Sequence, residues 1–92
     1  MESTRTTWRS HPFRPGQVLL ARASFIGWPN NEFVAGHRYV FESATYSHYD
    51  SSTVFTFREH GTDRLLCWWW HDDEADSLCG QRFEGIGNEL VR

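Results

Sequence analysis

The chain has 92 residues, a formal charge of -3 and two cysteines. That size suits one domain, and two cysteines make no disulfide framework. The charge argues against a dedicated nucleic-acid binder, which carries a basic stripe, and no apolar run approaches the ~20 residues that span a bilayer.

The positive charges are all arginines, scattered from Arg5 to Arg92. Five Trp, seven Phe and three Tyr supply an aromatic core, each ring able to bury roughly 150–250 Å². Residues 1–12 are polar, rich in Ser, Thr and Arg around Trp8, and read as a flexible or weakly docked arm. Residues 13–92 then form a single β domain. Met1 to His11 shows no signal peptide, so a cytoplasmic setting with free thiols is expected.

Arg14-Pro15-Gly16 is a turn, because proline fixes φ and glycine accepts positive φ. A first strand is expected from Gln17 to Phe25. Ile26 to Glu32 holds Gly, Pro and two Asn and reads as a loop. Phe33 to Gly36 leads into a turn before a second strand from about His37 to Tyr46. Ser47 to Ser52 is the next turn. The third strand runs from Thr53 to Glu59 and the fourth from Arg64 to His71. His60 to Asp63 forms the hairpin tip, with Gly61 in place. Leu78-Cys79 and Arg82 to Ile86 suggest a last short strand or helical turn, with Phe83 and Ile86 closing the core. Gly85 and Gly87 oppose a long helix there. The pattern predicts an all-β fold: a small SH3-like barrel or a strongly curled antiparallel sheet of about five strands.

The central hairpin fixes which aromatics are inside. With a two-residue tip at Gly61-Thr62, or a four-residue loop, Phe57 falls opposite Leu66 and Phe55 opposite Trp68. Side chains alternate faces. One face then carries Phe55, Phe57, Leu66, Trp68 and Trp70, and the other Val54, Thr56, Arg58, Leu65, Cys67 and Trp69. The first is more apolar and is assigned to the core. Trp68 and Trp70 should be more buried than Trp69; a register slip of one residue would invert that.

Chemistry is sparse. His71, Asp72, Asp73, Glu74 and Asp76 offer hard ligands, but a calcium loop needs an internal glycine. Cys67, His71 and Cys79 have no zinc-site spacing. No metal and no cofactor is expected. Nothing in the sequence places a base beside either thiol, and no phosphate cradle or serine elbow occurs. The expectation is a non-enzyme. The catalytic alternative would need distant groups such as His48, His60 and Asp63 to converge.

Phe13-x-Pro15-Gly16, an apolar strand, Phe25, Phe33-x-x-Gly36-x-x-Tyr39-x-Phe41, and Tyr49-Asp50 before Phe55-x-Phe57 form a pattern over Phe13 to Ile86. It resembles a family of small uncharacterised bacterial domains with an SH3-like β-barrel. The resemblance implies a fold and no catalytic residues. Trp68-Trp69-Trp70 and the acidic segment after it lie outside the shared pattern.

Two functions follow as expectations. The first is a small acidic protein-binding module, an immunity or inhibitor protein that blocks a basic partner such as a bacterial toxin. Trp28 and Trp69 would anchor the interface, and Asp72, Asp73, Glu74 and Asp76 would form its charged rim. The module would be a monomer or homodimer. The second is a β-barrel that binds nucleic acid or a small ligand between the Gly27 to Glu32 loop and the Trp-rich hairpin, with nucleic acid disfavoured by charge.

Overall fold

In the computed structural model, which describes residues 10–88, the strand-favouring runs become β1 (Gln17–Ala21), β2 (Phe25–Gly27), β3 (Asn31–Phe33), β4 (Arg38–Ser47), β5 (Ser52–Glu59) and β6 (Leu65–His71), followed by α1 (Leu78–Arg82) and β7 (Phe83–Asn88). Most of the expected amino-terminal arm, with Trp8, lies outside the described residues. Its end is placed: the His11 ring meets Phe55 edge-on, with centroids 5.1 Å apart.

One antiparallel sheet has the order β6-β5-β4-β1-β7. The central hairpin has the expected register, with Phe57 opposite Leu66 and Phe55 opposite Trp68. The physical cause is alternation: Phe55, Phe57, Leu66, Trp68 and Trp70 share one face and are all buried, whereas Trp69 on the other face is half-buried. The tip is a four-residue loop. The Glu59 N–H donates to the Arg64 carbonyl at 2.9 Å, and Gly61 takes φ +87°.

Two bulges set what alternation alone does not. Between β4 and β5 the register shifts between Phe41 and Ser43. Glu42 is the extra residue, so Tyr39 and Phe41 before it and Ala44 after it all pack on the core. Between β1 and β7 the shift falls between Val18 and Leu19, which face Gly87 and Gly85. Ile86 is therefore the unpaired bulge residue. It is 44% exposed and does not close the core, contrary to the sequence expectation; Phe83 does, from the buried start of β7.

The expected loop from Ile26 to Glu32 is a hairpin. Phe25 pairs with Phe33 and Gly27 with Asn31, leaving Trp28, Pro29 and Asn30 as its tip. The preceding strand ends at Ala21, earlier than expected. Strands this short show no periodicity; long-range packing forms them. Phe25 and Phe33 stack at 4.7 Å, and Phe25 also reaches Trp68 and Phe83.

The sheet curls far enough for Trp68 of β6 and Phe83 of β7 to meet at 6.0 Å. The two edge strands do not pair, so the sheet is not closed into a barrel and the SH3-like form is not found. The β2–β3 hairpin explains the gap. The Cys67 N–H on the outer edge of β6 donates to Asn31 Oδ1 at 2.7 Å. Gly27 lies so close that a Cβ there would stand 2.1 Å from the Cys67 carbonyl oxygen. The β6 edge is thus covered by side chain and backbone of another element, one way an exposed edge is protected.

Candidate functional site

The outward residues of β6 are Leu65, Cys67 and Trp69, with Leu65 exposed. At the hairpin tip Trp28 leans onto Trp69, ring centroids 4.5 Å apart and planes tilted by 32°. Trp28 is nonetheless 54% exposed, and Ile26 beside it 59%. The two tryptophans singled out from the sequence are therefore one aromatic surface.

Behind this pair runs a groove of about 370 Å³ between the hairpin tip and β6. Trp28, Pro29, Trp68 and Trp69 line it together with His71, Glu74 and Arg82. Arg82 closes α1 and turns its guanidinium across the core rim. Its Cζ is 4.2 Å from the centre of the Phe25 ring and 4.9 Å from that of Trp68. Burial lowers its pKa from the usual arginine value, and the nearby Glu74 carboxylate opposes that shift in part. It stays a cation, since arginine titrates far above neutrality.

The four acidic residues separate. Asp73 and Asp76 are exposed. Glu74 is half-buried, and its Oε1 accepts the His71 backbone N–H at 2.9 Å. Asp72 is turned inward: its Oδ2 accepts the Tyr46 hydroxyl at 2.5 Å. That bond, more than burial, holds the Tyr46 hydroxyl above its usual pKa. Asp72 and Asp73 line a second groove of about 450 Å³ with Asp50, Ser51 and His71. Glu74 lines the first groove and Asp76 lines neither.

One further pair follows from strand register and carries no sequence motif. Ser52 Oγ lies 2.6 Å from His71 Nδ1 and 2.9 Å from the Asp50 carbonyl oxygen. The serine hydrogen goes to the carbonyl, so the His71 Nδ1–H donates to the serine oxygen. Ser52 is fully buried; the pair ties β5 to β6 and offers no accessible nucleophile. The register already implied it, since Phe55 opposite Trp68 carries Ser52 opposite His71.

His48, His60 and Asp63 do not converge. His48 sits against Tyr46 before β5, whereas His60 and Asp63 lie in the loop after it. An eight-residue strand separates them, about 25 Å at the rise of a strand. Cys67 and Cys79 are both free thiols. Cys79 is in the core and Cys67 faces outward, so the zinc spacing has no spatial counterpart. Among the described residues no group of three His, Cys, Asp or Glu could hold a metal, and no helix is long and apolar enough to cross a membrane.

No protein-family model matches the chain, and no curated protein matches it in sequence. Its fold is shared. An integron cassette protein from the mobile metagenome of Vibrio cholerae superposes with a TM-score of 0.63 at 18% identity, over 80% of this chain and 86% of that one. The similarity is one of fold alone, and the fold is mostly β, a five-stranded antiparallel sheet with a small two-stranded one.

Proposed function

We propose that this chain is a protein-binding module whose anchor is the Trp28–Trp69 pair. The observation that carries the reading is a tryptophan pair in ring contact, one member half exposed, at the rim of a groove that Ile26 and Glu74 also line. Tryptophan is over-represented among the few residues that dominate binding energy. Charged residues are depleted at interface centres and belong at the rim. A net charge of -3 favours a partner with a basic surface and speeds their encounter. An inhibitor or immunity protein has these properties: it covers a basic cleft and needs no catalysis of its own. The cytoplasm suits its free thiols.

The test is affinity capture from the native organism, comparing the wild type with Trp28→Ala/Trp69→Ala and Asp73→Asn/Asp76→Asn. The double tryptophan variant is expected to lose the partner while keeping its circular dichroism spectrum. The acid variant is expected to slow association and flatten its salt dependence. Capture that survives loss of both indoles rejects the reading. A second reading, a small-ligand site, has the groove behind the pair in its favour.

A further inference from the structure

We infer that the groove between the hairpin tip and β6 takes a small flat molecule bearing one carboxylate, with Arg82 as the group that binds the carboxylate. This rests on the small-ligand reading and does not depend on a protein partner.

The arginines of this fold differ in their partners. Arg58 and Arg64 each have a glutamate, Glu42 at 3.0 Å and Glu59 at 3.2 Å. Arg82 is held between two rings at the groove. Among the described residues no oxygen accepts a hydrogen bond from its guanidinium. A cation partly removed from water without an acceptor is costly. A guanidinium fixed against ring faces has lost little freedom still to lose, and its fork matches a carboxylate in a bidentate pair.

The surroundings narrow the ligand. Trp28 and Trp69 offer ring surface at one side of an otherwise largely polar groove, which favours a flat ring system. A groove of about 370 Å³ lies within the roughly 300–1,000 Å³ of small-molecule sites. Glu74 lines the same groove; its carboxylate attracts Arg82 at longer range and repels a second negative charge. One carboxylate is thus accommodated better than a phosphate monoester. Two neighbouring features carry less. The acidic groove beside it has no metal-binding set among the described residues, and in the Ser52–His71 pair the serine hydroxyl is buried and offers no accessible nucleophile.

Isothermal titration of the full chain at neutral pH with naphthoate, naphthamide and naphthyl phosphate separates the claims. Naphthoate is expected to bind saturably and at least about tenfold more tightly than the neutral amide, the usual worth of a hydrogen bond to a charged group. The phosphate should also be weaker than naphthoate. Arg82→Gln should bring naphthoate down to the level of the amide and leave the amide unchanged. Trp69→Ala should weaken both. If naphthoate and naphthamide bind alike, or Arg82→Gln leaves naphthoate unaltered, the role of Arg82 is overturned while the groove stands as a ligand site. If none of the three binds, the ligand reading fails as well. Tightest binding of the phosphate would overturn the single-charge assignment. Should Arg82→Gln disturb the fold by circular dichroism, the ratio of naphthoate to naphthamide in the wild type decides.

Discussion

The indole rings of Trp28 and Trp69 meet with centroids 4.5 Å apart, although one belongs to a three-residue hairpin tip and the other to the middle of an edge strand. The contact joins the small hairpin to the outer face of the main sheet. It also leaves most of an indole in solvent at the mouth of a groove. The pair is a docking contact within the fold and the most exposed aromatic surface near the groove.

These rings should matter little for stability. Trp28→Ala removes a half-exposed side chain in tilted contact with Trp69 and is expected to cost about 1 kcal/mol, the worth of an aromatic pair. Trp70→Ala, at a position with no exposure, should cost about 3–5 kcal/mol, a large part of the ~5–15 kcal/mol available to a small domain. Urea denaturation of both variants checks the contrast. Equal losses would mean that the Trp28 indole is packed far more closely than its exposure implies.

Gly27 is the residue that lets the hairpin approach β6. An alanine methyl there would meet the Cys67 carbonyl oxygen at 2.1 Å and the Phe33 ring at 2.9 Å. One obstacle is backbone, so the hairpin must move. Gly27→Ala is expected to lose about 1–3 kcal/mol by overpacking and to expose Phe25, seen as increased dye binding in native buffer. Gly80 has open space around its Cβ direction, and Gly80→Ala, within α1, should be tolerated.

Asn31 satisfies an edge amide that would otherwise face no strand. Asn31→Ala should leave the Cys67 N–H without its 2.7 Å acceptor and cost about 1–3 kcal/mol. Hydrogen exchange reads it directly: the Cys67 amide should lose protection while the Phe57 amide in β5 keeps its own. Unchanged exchange at Cys67 would show that the hairpin backbone covers the edge unaided.

His11 makes stability depend on pH. Its ring packs on Phe13, Phe41 and Phe55, and burial lowers its pKa below the usual 6.5. The unfolded chain therefore binds the proton more readily than the native one. The contribution is fully present above about pH 6.5 and is lost as pH falls through that value toward the lower folded pKa. The melting temperature should drop on acidification across this window. His11→Phe, which keeps a ring against the same partners, should reduce the drop, and an identical pH profile in the variant would assign it to other groups.

The central hairpin was legible because its two strands are long enough to alternate, and one face holds every large ring except Trp69. That pattern gave the register, and the register already contained the Ser52–His71 pair. The β2–β3 hairpin was not legible. Its strands have three residues each, and Gly27, Pro29 and the asparagines signal a turn whether or not strands flank it. Ile86 was misjudged because a β-bulge shifts phase without any sequence mark. Arg82 went unnoticed for a related reason: its ring partners Phe25 and Trp68 come from two other elements.

By itself, then, the sequence determined a mostly β domain with an aromatic core and the facing of its longest hairpin, because alternation and apolar content act locally along the chain. The tertiary structure alone decided how far the sheet curls, what fills the space between β6 and β7, and that Trp28 meets Trp69 beside an arginine. Those outcomes depend on backbone approach at Gly27, on the phase shifts at Glu42 and Ile86, and on rings from distant segments competing for one interior.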